Sequence, residues 1–99
     1  MEFEWDENKN LANIAKHGIG FELACLVFED PRHLVTFDQT IGNEERWRAL
    51  GNIEGRRLLL VVHTYRNKDN MEVIRIISAR RPNTRERGQY ENRFKNSRD

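Results

Sequence analysis

Cysteine is nearly missing from this chain. Cys25 stands alone, so no internal disulfide can form and a packed core must hold the fold together. Long apolar runs are missing as well: none exceeds six residues, and Leu58 to Val62 has five, where a membrane span needs roughly 18. The opening MEFEWDENKN has neither a basic n-region nor an apolar h-region, so the expectation is a cytoplasmic protein. Paired cysteines, an HExxH pair, a glycine-rich phosphate loop and internal repeats are all absent. No cofactor and no metal are expected on these grounds.

What is present is charge, unevenly placed. Residues 1 to 74 carry nine Lys or Arg against thirteen Asp or Glu, while residues 75 to 99 carry eight against three. The overall charge of +1 therefore hides a basic last quarter, which fits one local anion site better than a broadly basic coat. Within Ile74 to Glu91 five of eighteen residues are Arg, at 75, 80, 81, 85 and 87. Guanidinium is planar, permanently charged and shaped for two parallel hydrogen bonds to phosphate or carboxylate.

The 99 residues make one domain, 1–99, with a frayed end expected after about Phe94. Phe3 and Trp5 alternate with Glu2 and Glu4 as a short strand, and Asp6 sits where a helix N-cap belongs. Leu11, Ile14 and Ala15 have helical spacing, closed by Lys16, His17 and Gly18. Phe21, Ala24, Cys25 and Phe28 predict a second helix that Asp30 and Pro31 end. The period then becomes two: strands are predicted over Leu34 to Phe37, Arg46 to Ile53, Arg57 to Arg66 and Met71 to Ala79. The LLLVV centre of the third is apolar on both faces, which makes it central. Asn83 with Glu86 has capping-box spacing for a final helix docked by Tyr90 and Phe94. The fold class is α+β: strand, two helices, antiparallel meander, C-terminal helix.

Period two places His63 with Tyr65 on one face, and Thr64 with Arg66 on the other. The same counting puts Ser78 and Arg80 with Ile74 and Ile76, opposite Arg75 and Ala79. Arg75, inside an apolar strand, reads first as an ion-pair partner, and Lys16 and His17 as cations suited to a helix C-terminus. Arg80 and Arg81 leave the strand just before the helix cap and are open to phosphate or ion-pair roles. Antiparallel pairing would hold Arg66 and Arg80 at opposite ends of the sheet.

Taken jointly, FEWDENKNLANIAKHGIGFELACLVFEDP, ERWRALG, LLLVVHTYR and RIISARRPNTRERGQYE resemble the BrnT family of bacterial type II toxins, over about Phe3 to Glu91. The resemblance implies a RelE-like fold and a metal-independent endoribonuclease that inhibits translation. It also implies a BrnA-like ribbon-helix-helix antitoxin as partner, an RNA substrate, DNA contact only through the antitoxin, and a toxin dimer within that complex. Under that implication Arg66 and Arg80 hold the phosphate with Lys16 or Arg81 assisting, His63 or Tyr65 handles protons, and Trp5 supports a base. The competing expectation is a non-catalytic module whose basic patch docks an acidic protein.

Overall fold

A computed structural model describes residues 1–95. The expected fraying concerns residues beyond these. The elements are β1 (Glu2–Glu4), α1 (Glu7–His17), α2 (Phe21–Ala24) continuing into a 3-10 turn (Cys25–Glu29), β2 (Leu34–Ile41), β3 (Glu44–Ile53), β4 (Arg57–Lys68), β5 (Met71–Arg80) and α3 (Thr84–Lys95). The five strands form one sheet in the order β1-β5-β4-β3-β2, antiparallel except for the β1–β5 pair. The α+β meander expected from the sequence is the architecture found.

The caps are where the side chains demand them. Asp6 accepts the N–H groups of Asn8 and Lys9, and Gly18, at φ 71°, closes α1 by donating to Ile14 O at 2.8 Å. Asn83 and Glu86 exchange hydrogen bonds at 2.9 and 2.8 Å, a reciprocal capping box at the head of α3. Trp5 falls just past β1, and the turn between β4 and β5 is only Asp69–Asn70, so β4 runs two residues beyond Arg66. Both turn residues have positive φ, the geometry that matches the twist of a two-residue hairpin.

One face of the sheet is closed by α1, α2 and the 3-10 turn over Leu59, Val61, Ile74, Ile76 and Ala79, with Phe21, Ala24 and Val27 fully buried among them. The approach is close enough that a Cβ on Gly51 would stand 2.7 Å from Val27 O. Asn13 ties α1 to β5 by exchanging hydrogen bonds with the backbone of Ala79. On the other face α3 covers only one end, packing Tyr90 and Phe94 on Leu50, Leu58 and Leu60. β4 is thus apolar on both faces in its first half, as a central strand requires.

Two bulges break the alternation. Val62 pairs with Ser78 but His63 pairs with Ile76, so Ile77 is an extra residue in β5, and Asp38 is extra in β2. The period-two placement of Ser78 and Arg80 beside Ile74 and Ile76 is corrected by the first of these. Ile74 and Ile76 join Ala79 in the closed core, while Arg80 pairs with Leu60 on the α3 side.

Candidate active site

Beyond the reach of α3 the sheet's second face is open and cationic. Arg46 and Arg48 alternate with Trp47 and Ala49 and so project opposite them, while Arg66 and Lys68 continue the row of Leu58, Leu60 and Val62. Arg75, ahead of the bulge, and Arg80, after it, reach the same side. Six cationic side chains from three strands therefore share one surface.

Five of them gather around two carboxylates, while Arg46 pairs with Glu44 at 3.6 Å. At the α3 end, Glu86 accepts both guanidinium NH groups of Arg80, at 2.8 and 2.9 Å, and Arg48 NH1 lies 3.7 Å away. The hydrogen bonds from Arg80 hold the Glu86 carboxyl down at about 2 against the opposing effect of its burial, with the cap N–H of Asn83 assisting. Arg48 is also paired with Asp38, the bulge residue of β2, at 3.6 Å. At the far end Glu4 accepts from Arg75 at 3.0 Å and from Lys68, with Arg66 3.6 Å away. Its pKa is lowered mainly by the Lys68 hydrogen bond, burial opposing, and then by Arg75. Three cations on one carboxylate leave a net positive charge there. Between the two groups lie buried atoms without hydrogen-bond partners: Thr64 Oγ1, on a residue 1% exposed and paired across the sheet with Arg75, and the Nε atoms of Arg46 and Arg48.

Of the residues singled out from the sequence, Arg66 and Arg80 share this face but not one point on it. Arg80 is opposite Leu60 and Arg66 opposite Val73, so about six residues of β4, roughly 20 Å, separate them. His63 is on the closed face, 0% exposed, its ring edge-on to Phe28 at 4.9 Å and to Tyr65 at 5.1 Å. Burial pushes its pKa down to about 4, and its Nε2 has no partner. Tyr65 follows on that same side, 42% exposed, with its pKa raised by burial and then by Glu72. Trp5 lies edge-on to Phe21 at 6.1 Å, on the closed face as well. Lys16 is in the exposed last turn of α1, and Arg81 lines a cleft at the β3–β4 hairpin. The seven do not form one constellation. His63 and Tyr65 are separated from Arg66 and Arg80 by the sheet itself, because alternation along β4 sends 63 and 65 one way and 64 and 66 the other.

Sequence reading set Thr64 beside Arg66 but missed Arg46, Arg48, Glu4 and Glu86 as members of the face. Their signal was the same alternation: Glu4 flanks Phe3, and Arg48 flanks Trp47 and Ala49, so each lies opposite an apolar neighbour. Arg75 has the ion-pair partner its context suggested. Among the described residues no group of three or more His, Cys, Asp or Glu is placed to hold a metal ion, and no single helix is long and apolar enough to cross a membrane.

No curated protein matches the chain. Among solved structures it is similar to the crystal structure of the Brucella abortus ribonuclease toxin, BrnT, with 26% identity and a TM-score of 0.58, over 85% of this chain and 99% of that one. Residues 5–86 match the family described as "Ribonuclease toxin, BrnT, of type II toxin-antitoxin system". Such toxins are paired with an antitoxin, and a cationic sheet face bordered by carboxylates suits contact with a polyanion. The chain belongs to the BrnT family of ribonuclease toxins.

Proposed function

We propose that this chain is a metal-independent endoribonuclease that lays single-stranded RNA along the open arginine face and inhibits translation by cutting it. The observation that carries the reading is the convergence of Arg46, Arg48, Arg66, Lys68, Arg75 and Arg80 on one uncovered surface. In the reaction the 2′-oxygen attacks the adjacent phosphorus and the P–O5′ bond breaks, leaving a 2′,3′-cyclic phosphate and a 5′-hydroxyl. Negative charge builds on the phosphoryl oxygens in the transition state, where preorganised guanidinium groups stabilise it most.

Arg80 and Arg66 then hold different phosphates of one strand, as their separation requires. Glu86 positions Arg80 by its bidentate grip and leaves the outer edges of the guanidinium for the phosphate. Glu4 and Glu86, held ionised by their cations, are the carboxylates beside the proposed phosphate sites and the candidate acceptors of the 2′-hydroxyl proton. His63 and Tyr65 stand outside this set. A BrnA-like ribbon-helix-helix antitoxin is the partner proposed to neutralise the toxin in the cytoplasm.

Purified chain is expected to cut RNA in the presence of a chelator and to leave cyclic phosphate ends. Arg80→Ala is expected to lower the rate by about 100-fold with the circular dichroism spectrum retained. Cutting that stops on chelation defeats the metal-independent mechanism, and an Arg80→Ala protein as active as the original defeats the assignment of Arg80.

A further inference from the structure

The arginines on the open face all have carboxylate partners, but three of the four in a second group do not. At the β3–β4 hairpin, Arg56, Arg57, Arg81 and Arg87 line a cleft of about 420 Å³ in which Glu91 is the only carboxylate-bearing residue. Glu91 is within 3.7 Å of Arg87. Among the described residues no carboxylate is within ion-pair distance of Arg56, Arg57 or Arg81. Four guanidiniums against one carboxylate repel one another on balance, and an arriving anion relieves that repulsion.

The cleft is held by local structure. Glu54 and Gly55 both have positive φ, and Arg56 N–H donates to Ile53 O at 3.0 Å, so a tight turn over residues 54–56 fixes where Arg56 and Arg57 emerge. Arg81 directly follows β5, and Arg87 comes from the first turns of α3, which the Asn83–Glu86 box anchors. Three separately fixed elements bring guanidiniums to one place.

We propose that this cleft is an accessory site for the phosphodiester backbone of the RNA substrate, next to the arginine face. The proposal rests on the ribonuclease reading above and adds a second contact to it. RNA fits better than an acidic protein segment because the cleft opens at the same end of the sheet as Arg80, just past the end of the open face. Arg81 is the next residue, and Arg57 begins the strand three residues before Leu60, the partner of Arg80, about 10 Å along β4. A strand held by Arg80 can therefore reach the cleft with its neighbouring nucleotides around the head of α3.

The test uses the exposed hairpin residues, in an R56Q/R57Q variant of the full chain. Its affinity for a long 2′-O-methyl RNA, which lacks the attacking hydroxyl, is read by fluorescence anisotropy across a salt series, so the result stands whether or not cleavage occurs. The expected result is about tenfold weaker binding at low salt and a salt slope smaller by about one, the signature of one or two lost phosphate contacts on a single strand. R56K/R57K is expected to recover most of the affinity, which a merely misfolded hairpin would not do. A short oligonucleotide covering only the arginine face should be bound and cut alike by variant and original. Unchanged affinity and salt slope for the long RNA overturn the proposal, as does an equal loss on the short one. A variant that keeps its RNA affinity but loses antitoxin affinity assigns the cleft to an acidic protein instead. If the original chain binds the long RNA without cutting any RNA, the ribonuclease mechanism fails while the cleft is still judged by the binding data.

Discussion

The two faces of the sheet are made from the same strands and have opposite characters. On the closed face His63 is buried against Phe28 and kept neutral, whereas one residue later Thr64 stands among arginines. Covering decides the difference: α1, α2 and the 3-10 turn seal one side from Leu59 to His63, while α3 seals only the end of the other at Leu50, Leu58 and Leu60. A charge is tolerated where water or a counter-charge can reach it, and an imidazole enclosed by aromatic rings loses its proton. Candidate catalytic side chains on this scaffold must therefore be sorted by face before they are sorted by chemistry.

The strongest way to break the comparison is to put a charge on the wrong face. Ala79 is 0% exposed in the closed core, so Ala79→Arg buries a guanidinium there with no carboxylate beside it. A buried unpaired guanidinium costs several kcal/mol. The expected outcome is loss of the cooperative thermal transition together with RNA cleavage. An Ala79→Arg protein that melts cooperatively and still cuts RNA would show that the closed face does not exclude charge.

Next in size is the response to acid. The folded pKa of His63 is depressed from 6.5 to about 4, so its contribution is fully present above 6.5. As pH falls through that window the unfolded chain takes up a proton that the folded chain refuses, and stability drops by up to about 3 kcal/mol. Glu86, also depressed, adds its own loss in a lower window, from 4.5 to about 2. His63→Phe keeps an aromatic ring against Phe28 and is expected to flatten urea midpoints between pH 6.5 and pH 4, while cleavage at neutral pH stays within about twofold. A large fall in cleavage at full stability would return His63 to the reaction and undo the separation of the faces.

Much of this arrangement was legible in the sequence. Asp6, Gly18 and the Asn83–Glu86 box carry local chemistry that acts through adjacent backbone, so their spacing alone located the helix ends. Simple alternation also divided His63 from Arg66 correctly, since no bulge interrupts β4 between them. Arg80 was misplaced because a bulge is decided by pairing partners: nothing in IRIISAR marks Ile77 as the extra residue. The ion-pair groups were hidden for a similar reason. Glu4 and Arg75 are 71 residues apart and meet only because β1 pairs with β5.

The smallest expected effect gives the finest test of the open face. Lys68 is 56% exposed on its side chain and pairs with Glu4, a carboxylate already held by Arg75 and approached by Arg66. Exposed pairs contribute little because water screens them and two long side chains must be immobilised, so Lys68→Ala should cost no more than about 0.5 kcal/mol in urea unfolding. RNA affinity should fall by about threefold, because one cation leaves a group whose net positive charge attracts phosphate. The two readouts separate storage of charge from structural use. A loss of stability well above about 1 kcal/mol with unchanged RNA affinity would mean that the Glu4 group is an internal brace, occupied by its own carboxylate and closed to phosphate.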